Sequence, residues 1–341
     1  MLLDEASVID DLFPFTWTRP VIDIRIGILT IREKWALLGN PVTETGPTLP
    51  ANILPTAELV AALRREPAAQ QPALSSALSR AIRIQYPWHI FEHNSEALRS
   101  DFTLITAGRS SQPLPAHVQA AFPENIFIEE GARIHPCMLN ASTGPIYIGR
   151  NTEIMEGALI RGPFALCEGA VVKMGTKIYG ATTVGPYCTV GGEIKNSVLF
   201  GYSNKAHDGY LGDAVLGEWC NLGAGTSNSN VKNNAEEVKV WNPAAGRLIG
   251  AGFKCGLLMG DYSRCAINTS FNTGTVAGVC CNIFGEGLTP RFIPSFSWGH
   301  KQMSRYELEK ALRDIGNWKK MKNRSLTDAE IRTLKHIFEK S

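Results

Sequence analysis

Eight aliphatic residues spaced six apart, Ile148, Ile154, Ile160, Leu166, Val172, Ile178, Val184 and Val190, constrain this chain more than any other feature. An α-helix cannot use such a train, because each step of six turns about 240° around its axis and scatters the residues over all faces. A triangular coil can. Each six-residue side turns one aliphatic residue inward, three sides close a rung of roughly 18 residues, and a fixed short period marks a solenoid. Gly149 and Gly185 directly follow members of the train, where a corner needs a small residue.

The pattern predicts a mainly β protein with a left-handed parallel β-helix of hexapeptide repeats over residues 126–285. After Lys195 the register shifts, then resumes at Leu216 and Leu222, and a weaker train continues at Ile249, Cys255, Ile267 and Val279. Between them Ser229–Arg247 is polar and aperiodic, so it reads as a loop leaving the coil. Rungs of this kind leave open faces that neighbouring chains cover, and a homotrimer is the expectation.

The flanks differ. Residues 1–122 read as a small α/β domain: Ile22, Ile24, Ile26 and Ile28 alternate as in a half-buried strand, and Thr30–Leu38 reads as a helix. Asn40–Pro55 reads as a Pro- and Thr-rich loop, with helical patches near Ala57–Arg65, Ser75–Arg83 and Trp88–Arg99. The coil is assigned to 123–288 and a helical segment to 289–341. In that segment Ser304 with Glu307, and Thr327 with Glu330, have capping-box spacing ahead of two amphipathic stripes.

With 44% hydrophobic residues, 19% charged and a net charge of +2, the composition supports neither nucleic-acid binding nor a membrane span. The surplus of Lys and Arg after residue 300 reads as a solvated face on the terminal helices. Met-Leu-Leu-Asp-Glu at the start places acids where a secretory leader carries bases, so the expected location is the cytoplasm. Eight cysteines without a Cys-x-x-Cys read as small buried hydrophobes.

Chemistry concentrates in three runs: Glu193-Ile-Lys-Asn-Ser, Asn204-Lys-Ala-His-Asp-Gly-Tyr-Leu-Gly-Asp-Ala and Asn221-Leu-Gly-Ala-Gly-Thr. Glu193 and Lys195, two apart on a strand, face the same way. Lys177 lies 18 residues before Lys195, one full rung, and is expected beside it, where two cations suit a phosphate dianion. His207 carries an imidazole, a group whose ordinary pKa of about 6.5 suits a general base near neutral pH.

These runs, in ungapped spacing over Val184–Asn230, resemble the acetyltransferase half of bifunctional N-acetylglucosamine-1-phosphate uridylyltransferases/glucosamine-1-phosphate acetyltransferases. The whole chain resembles a divergent bacterial sugar-nucleotidyltransferase branch of that family. Its hallmarks here are Phe15-Thr-Trp-Thr-Arg-Pro, Gly27-Ile-Leu-Thr-Ile-Arg-Glu-Lys-Trp and Pro294-Ser-Phe-Ser-Trp-Gly. The resemblance implies an acetyl-CoA-dependent N-acetyltransferase acting on a hexosamine 1-phosphate in UDP-N-acetylglucosamine-type biosynthesis, with acetyl-CoA as co-substrate. It makes His207 the base and Glu193 its orienting partner. Lys195, Lys177, Tyr210, Asn221 and Asn230 become substrate contacts, and the Ala224 backbone N–H an oxyanion donor. The chain departs from the family after Asn230, where Val231 and Asn234-Ala-Glu-Glu replace an aromatic residue and a lysine that contact the sugar. For the coenzyme phosphates, Lys239, Arg247 and Lys254 are generic candidates.

A nucleotidyltransferase opens with a Gly-rich phosphate loop, yet no glycine precedes Gly27, and Leu12-Phe-Pro-Phe-Thr only faintly echoes the family's element. Side-chain cations, Arg19, Arg25 and Lys34 with Arg32, are candidates to replace the amide cradle. No Asp pair for Mg²⁺ is evident, and Mg²⁺ is expected only if nucleotidyl transfer is retained. Two alternatives stand beside acetyl transfer: a sugar-1-phosphate uridylyl- or thymidylyltransferase using the coil as a trimer scaffold, and a non-catalytic sugar-nucleotide-binding protein. A zinc enzyme of the γ-carbonic anhydrase kind needs three histidines, and the coil holds only His135 and His207; no metal site is predicted.

Overall fold

A computed structural model describes residues 2–39, 48–65 and 72–341. The predicted train closes a three-sided parallel β-helix. One side has nine strands, from Ile126–Ile128 to Phe292–Ile293; a second has ten, from Arg133–Ile134 to Ser304–Arg305; the third has six, from Gln119–Ala121 to Tyr210–Gly212. All eight members of the train point inward and are at most 2% exposed. Burying each contributes about 1.5–3 kcal/mol, which is why the period is kept so strictly.

The register shift has a structural form. From Ile160 to Ile178 a rung takes 18 residues, but Ile178 pairs with Ile194 and Val184 with Leu199, rungs of 16 and 15. Corner residues Asn196 and Asp213 turn these short rungs with left-handed backbone, φ +46° at each, a conformation that Asn and Asp tolerate better than most residues. The later train was misread. Leu216 continues to Met259 and Ala277, and Leu222 to Cys265 and Ile283. Ile249 instead lies in an antiparallel hairpin, Lys239–Asn242 with Arg247–Gly250, and Ile267 is 67% exposed. Cys255 packs in the amino-terminal core and Val279 under the carboxy-terminal helices, so their burial has a different cause. The polar insertion is therefore irregular over 229–238, as expected of a loop, and ends in a folded hairpin. The coil also reaches beyond 123–288: pairing begins at Gln119 and runs through Trp298.

The amino-terminal unit contains one parallel strand pair, Leu2–Asp4 with Thr48–Pro50, and helices α1 (Ile31–Leu37), α2 (Ala57–Arg65), α3 (Pro72–Arg80), α4 (His89–Glu92) and α5 (Asn94–Thr106). Thr30 and Glu33 form the capping box that starts α1. The alternating isoleucines do not make a strand. Val21–Asp23 is a 3-10 turn and the chain then doubles back, Ile24 O accepting from Ile31 N, so all four isoleucines enter the core without a partner strand. Of the loop assigned to Asn40–Pro55, residues 40–47 lie outside the described residues, and Thr48–Pro50 is a strand.

This unit sits on the nine-stranded side. Phe15, Ile24, Ile26 and Trp35 share one core with Val198, Phe200, Val215 and Leu258, the outward residues of that side. Asn94 knits the junction, accepting from Gly27 N at 2.7 Å and donating to Ala181 O at 2.9 Å. At the far end, α6 (Leu308–Lys320) and α7 (Asp328–Lys340) pack on a corner where Tyr187, Tyr202 and Trp219 stack at 5.2 and 4.3 Å. Thr327 and Glu330 make the expected capping box. Ser304 does not, because it pairs with Trp298 as an antiparallel strand and α6 starts only at Leu308. All eight cysteines are buried and unpaired. Among the described residues no helix is long and apolar enough to cross a membrane.

Candidate functional site on the open face of the coil

The six-stranded side is open, with Met138, Leu159 and Tyr179 exposed on it. Its outward positions form two rows, and register decides who stands next to whom. Leu159, Lys177, Glu193 and Tyr210 follow one another in the first row; Tyr179, Lys195 and Gly212 do so in the second. Lys177 thus stands beside Glu193, not beside Lys195. The shortened rung moves the pairing by two residues, which an 18-residue step does not anticipate. Both lysines still project from the same face, one row apart.

Around Tyr210 the side chains interlock. Its ring lies down over Gly212, where an added Cβ would come within 2.1 Å of the hydroxyl. Asn230 donates to that hydroxyl at 3.1 Å and to Asp213 Oδ2 at 2.5 Å. Asp213, itself buried, also accepts from Asn196 at 2.7 Å, and Lys195 Nζ stands 3.8 Å from Asp213 Oδ2. Asn228 replaces a strand by pairing both ways with the backbone of Gly212, 2.9 Å in each direction. Burial pushes the Tyr210 phenol well above its usual range, helped by the nearby charge of Asp213, so it stays a neutral donor.

Glu193 accepts from the Tyr179 hydroxyl at 2.6 Å, and this bond, with some burial, pushes the Tyr179 phenol up to about 12. Among the described residues Glu193 accepts from Tyr179 and no hydrogen bond joins it to His207, the base that the resemblance has it orient. His207 is exposed at the corner that leads into the Tyr210 strand. Asn221 lies on the ten-stranded side, between Asn204 and Arg264, and Ala224 at the corner that follows it. Within one chain these two do not join the Lys177–Glu193–Tyr210 row. Next to that row, Met138, Leu159, Arg161, Lys177 and Tyr179 line a groove of about 340 Å³.

The cations assigned to a nucleotide are committed elsewhere. Lys34, 3% exposed, is ion-paired with Asp101, 2% exposed. Arg25 is bound to Ile28 O and stands 3.6 Å from Glu33. Arg19 is ion-paired with Asp261 beneath the ring of Phe200; burial opposes its charge, but Asp261 and Glu218 more than restore it. Arg19 borders a cleft of about 510 Å³ in which five carboxylates, Asp23, Glu33, Glu218, Asp261 and Glu330, face two guanidiniums, Arg19 and Arg32. That balance repels a triphosphate. Among the described residues no group of three His, Cys, Asp or Glu side chains is placed to hold a metal ion. Lys239, Arg247 and Lys254 are exposed on the inserted segment.

Tyr179, Asp213 and Asn228 escaped the sequence reading. Asn196 and Asp213, 17 residues apart at one corner, were the available signal, since both are types that favour left-handed turns.

Residues 1–48 match the family model for sugar nucleotidyl transferases. The chain is 31% identical over 110 residues to the bifunctional protein GlmU of Methanocaldococcus jannaschii, covering 32% of this chain and 26% of the relative. It is 36% identical over 105 residues to that of Rippkaea orientalis, covering 30% and 22%. It is also 33% identical over 99 residues to a bifunctional sugar-1-phosphate nucleotidylyltransferase/acetyltransferase of Sulfurisphaera tokodaii, covering 29% and 24%. The matches thus span about a quarter of these relatives. Among solved structures, a hexapeptide transferase family protein from Anaplasma phagocytophilum aligns over 65% of this chain and 87% of its own, at 15% identity and a TM-score of 0.18. The polySia-specific acetyltransferase NeuO aligns over 55% and 84%, at 10% identity and a TM-score of 0.23. The chain therefore combines a segment similar to sugar nucleotidyl transferases with a hexapeptide-repeat coil, and it is similar to the GlmU group of bifunctional enzymes.

Proposed function

We propose that the protein is an acetyl-CoA-dependent N-acetyltransferase acting on a hexosamine 1-phosphate. The observation that carries this reading is the open-face cluster: two lysines flanking Glu193 and Tyr210, with His207 exposed at the adjoining corner. Lys195 and Lys177 hold the phosphate dianion, and Asp213 keeps Lys195 directed along the strand. Tyr210, fixed by Asn230, donates to the sugar phosphate. His207 takes the proton from the amino group as its nitrogen attacks the thioester carbonyl. The new C–N bond forms, the C–S bond breaks, and the coenzyme leaves as a thiol after taking up a proton. The open face, with Met138, Leu159 and Tyr179 exposed on it, is the surface on which further copies of the chain complete a homotrimer.

The deciding experiment follows thiol release from acetyl-CoA with and without glucosamine 1-phosphate. Sugar-dependent release that disappears in His207→Ala supports the reading. Release that survives the substitution, or no release from a folded protein, refutes it. A second reading, nucleotidyl transfer by the amino-terminal unit, draws on the family match over residues 1–48. The internal pairing of Arg19 and Lys34 weighs against it, and nucleotide-dependent pyrophosphate release would be its evidence.

A further inference from the structure

Successive inward slots along the ten-stranded side hold apolar side chains, from Ile154 and Val172 to Val190, then Leu222, Cys265 and Ile283. One rung breaks the rule. Lys205 pairs with Val190 and occupies the inward slot between Val190 and Leu222, at 2% exposure. Its stem fills the aliphatic slot, and its ammonium reaches the corner, where it donates to Gly191 O at 3.0 Å and to the backbone carbonyl of His207.

The shortened rungs explain why a donor is needed there. A Cβ on Gly192 would lie 2.8 Å from His207 O, and one on Gly191 only 2.3 Å from Ala206 O, so the two rungs touch backbone to backbone. Among the described residues neither Gly191 O nor His207 O accepts a backbone N–H. A carbonyl shut away from water, as Gly191 O is, is costly without a partner, and one ammonium serves it and His207 O together.

We infer that Lys205 is a positioning residue that locks the backbone of the corner carrying His207. The inference rests on the acetyl-transfer reading for its catalytic meaning, but the clamp is a property of the fold. Charge is part of the device, because a charged donor makes the stronger hydrogen bond. Burial pushes the Lys205 ammonium down to about 8, opposed by the charge of Asp208 on its own corner and by Cys265 two rungs on.

A merely structural role and a positioning role predict different outcomes. The slot itself suits an aliphatic residue, which fills the space of the stem but leaves Gly191 O and His207 O without their donor. In Lys205→Leu and Lys205→Met we expect a folded protein with a lowered melting temperature together with an at least tenfold lower kcat for acetyl transfer. KM for glucosamine 1-phosphate should stay within about twofold. The imidazole NMR signals of His207, assigned with His207→Gln, should shift or broaden. A kcat within twofold of the wild type with unmoved His207 signals in a folded Lys205→Met protein overturns the inference. If the wild type releases no thiol, the acetyl-transfer reading fails, and the His207 signals still decide the clamp.

Discussion

The ion pair between Lys34 and Asp101 decides whether the amino-terminal unit binds a nucleotide through Lys34 or uses it as core. Asp101 Oδ2 accepts from Lys34 Nζ and from the backbone N–H groups of Ile28 at 2.8 Å and Leu29 at 3.1 Å, and a Cβ on Gly27 would lie 2.4 Å from the same oxygen. The segment after Ile26 is thus wrapped around one carboxylate. Burial pushes the Lys34 amine down and the Asp101 carboxyl up, each partly restored by the other. Asp101→Ala leaves an uncompensated buried ammonium and two bare N–H groups, a loss of about 3–5 kcal/mol. Lys34→Met leaves the carboxylate with its two N–H donors but no countercharge, so its cost falls at the lower end of that range. Removing both charges, in Lys34→Met with Asp101→Asn, keeps an acceptor for the two N–H groups. It should return the protein to within about 1–2 kcal/mol of the wild type. Urea unfolding followed by tryptophan fluorescence measures all three, since Trp35 and Trp88 lie in this core. The reasoning is refuted if Lys34→Met unfolds with the wild type while weakening UTP binding tenfold or more, for Lys34 would then serve a ligand.

Other outcomes follow from the same geometry. Gly212→Ala places a Cβ where the Tyr210 hydroxyl lies; under the acetyl-transfer reading KM for the sugar phosphate should rise about tenfold with a smaller effect on kcat, and an unchanged KM would count against Tyr210 as a contact. Lys205 has its folded pKa, about 8, below the ordinary 10.5. The unfolded chain therefore binds the proton more tightly, and stability should rise between those pH values by about 3 kcal/mol. Lys205→Leu should flatten that rise in a series of melting curves, and identical slopes would disprove it. The eight thiols are buried, with Cys137, Cys167 and Cys281 pushed up to about 11 by burial; a thiol reagent at neutral pH should find them only after denaturation, and rapid reaction of the native protein would contradict this packing.

The coil was legible where its period was strict. Between Ile148 and Val190 each inward slot holds an aliphatic residue and each rung has the same length, so the sequence alone identifies the interior. The reading failed where either condition lapsed. The inward slot after Leu199 belongs to Lys205, a residue no hydrophobic train includes, and the rung around it is short. Ile249, half-buried, and Cys255 and Val279, buried, imitate the period because they pack against the flanking units rather than inside the coil. Register errors then spread to the site: residue types on the open face were legible, but their neighbours depend on rung length, and Lys177 was matched with the wrong partner. Arg19 and Lys34 misled for a different reason. A cation in a sequence carries no sign of whether its counter-ion lies 67 residues away in the chain, as Asp101 does for Lys34.

The distribution of cover around the coil bears on how the site works. The nine-stranded side is closed by the amino-terminal unit and the aromatic corner by α6 and α7, each through apolar residues of the chain itself. The side left open carries Lys177, Glu193, Lys195 and Tyr210, while Asn221 and Ala224 stand on another side and corner of the same rungs. If all six serve one reaction, as the resemblance implies, a single chain cannot bring them around one substrate. A second copy facing the open side can, by presenting its own Asn221 and Ala224 across the groove. On that reading the segment similar to sugar nucleotidyl transferases contributes cover rather than chemistry. By occupying the nine-stranded side it removes that side as a place for a second coil to dock.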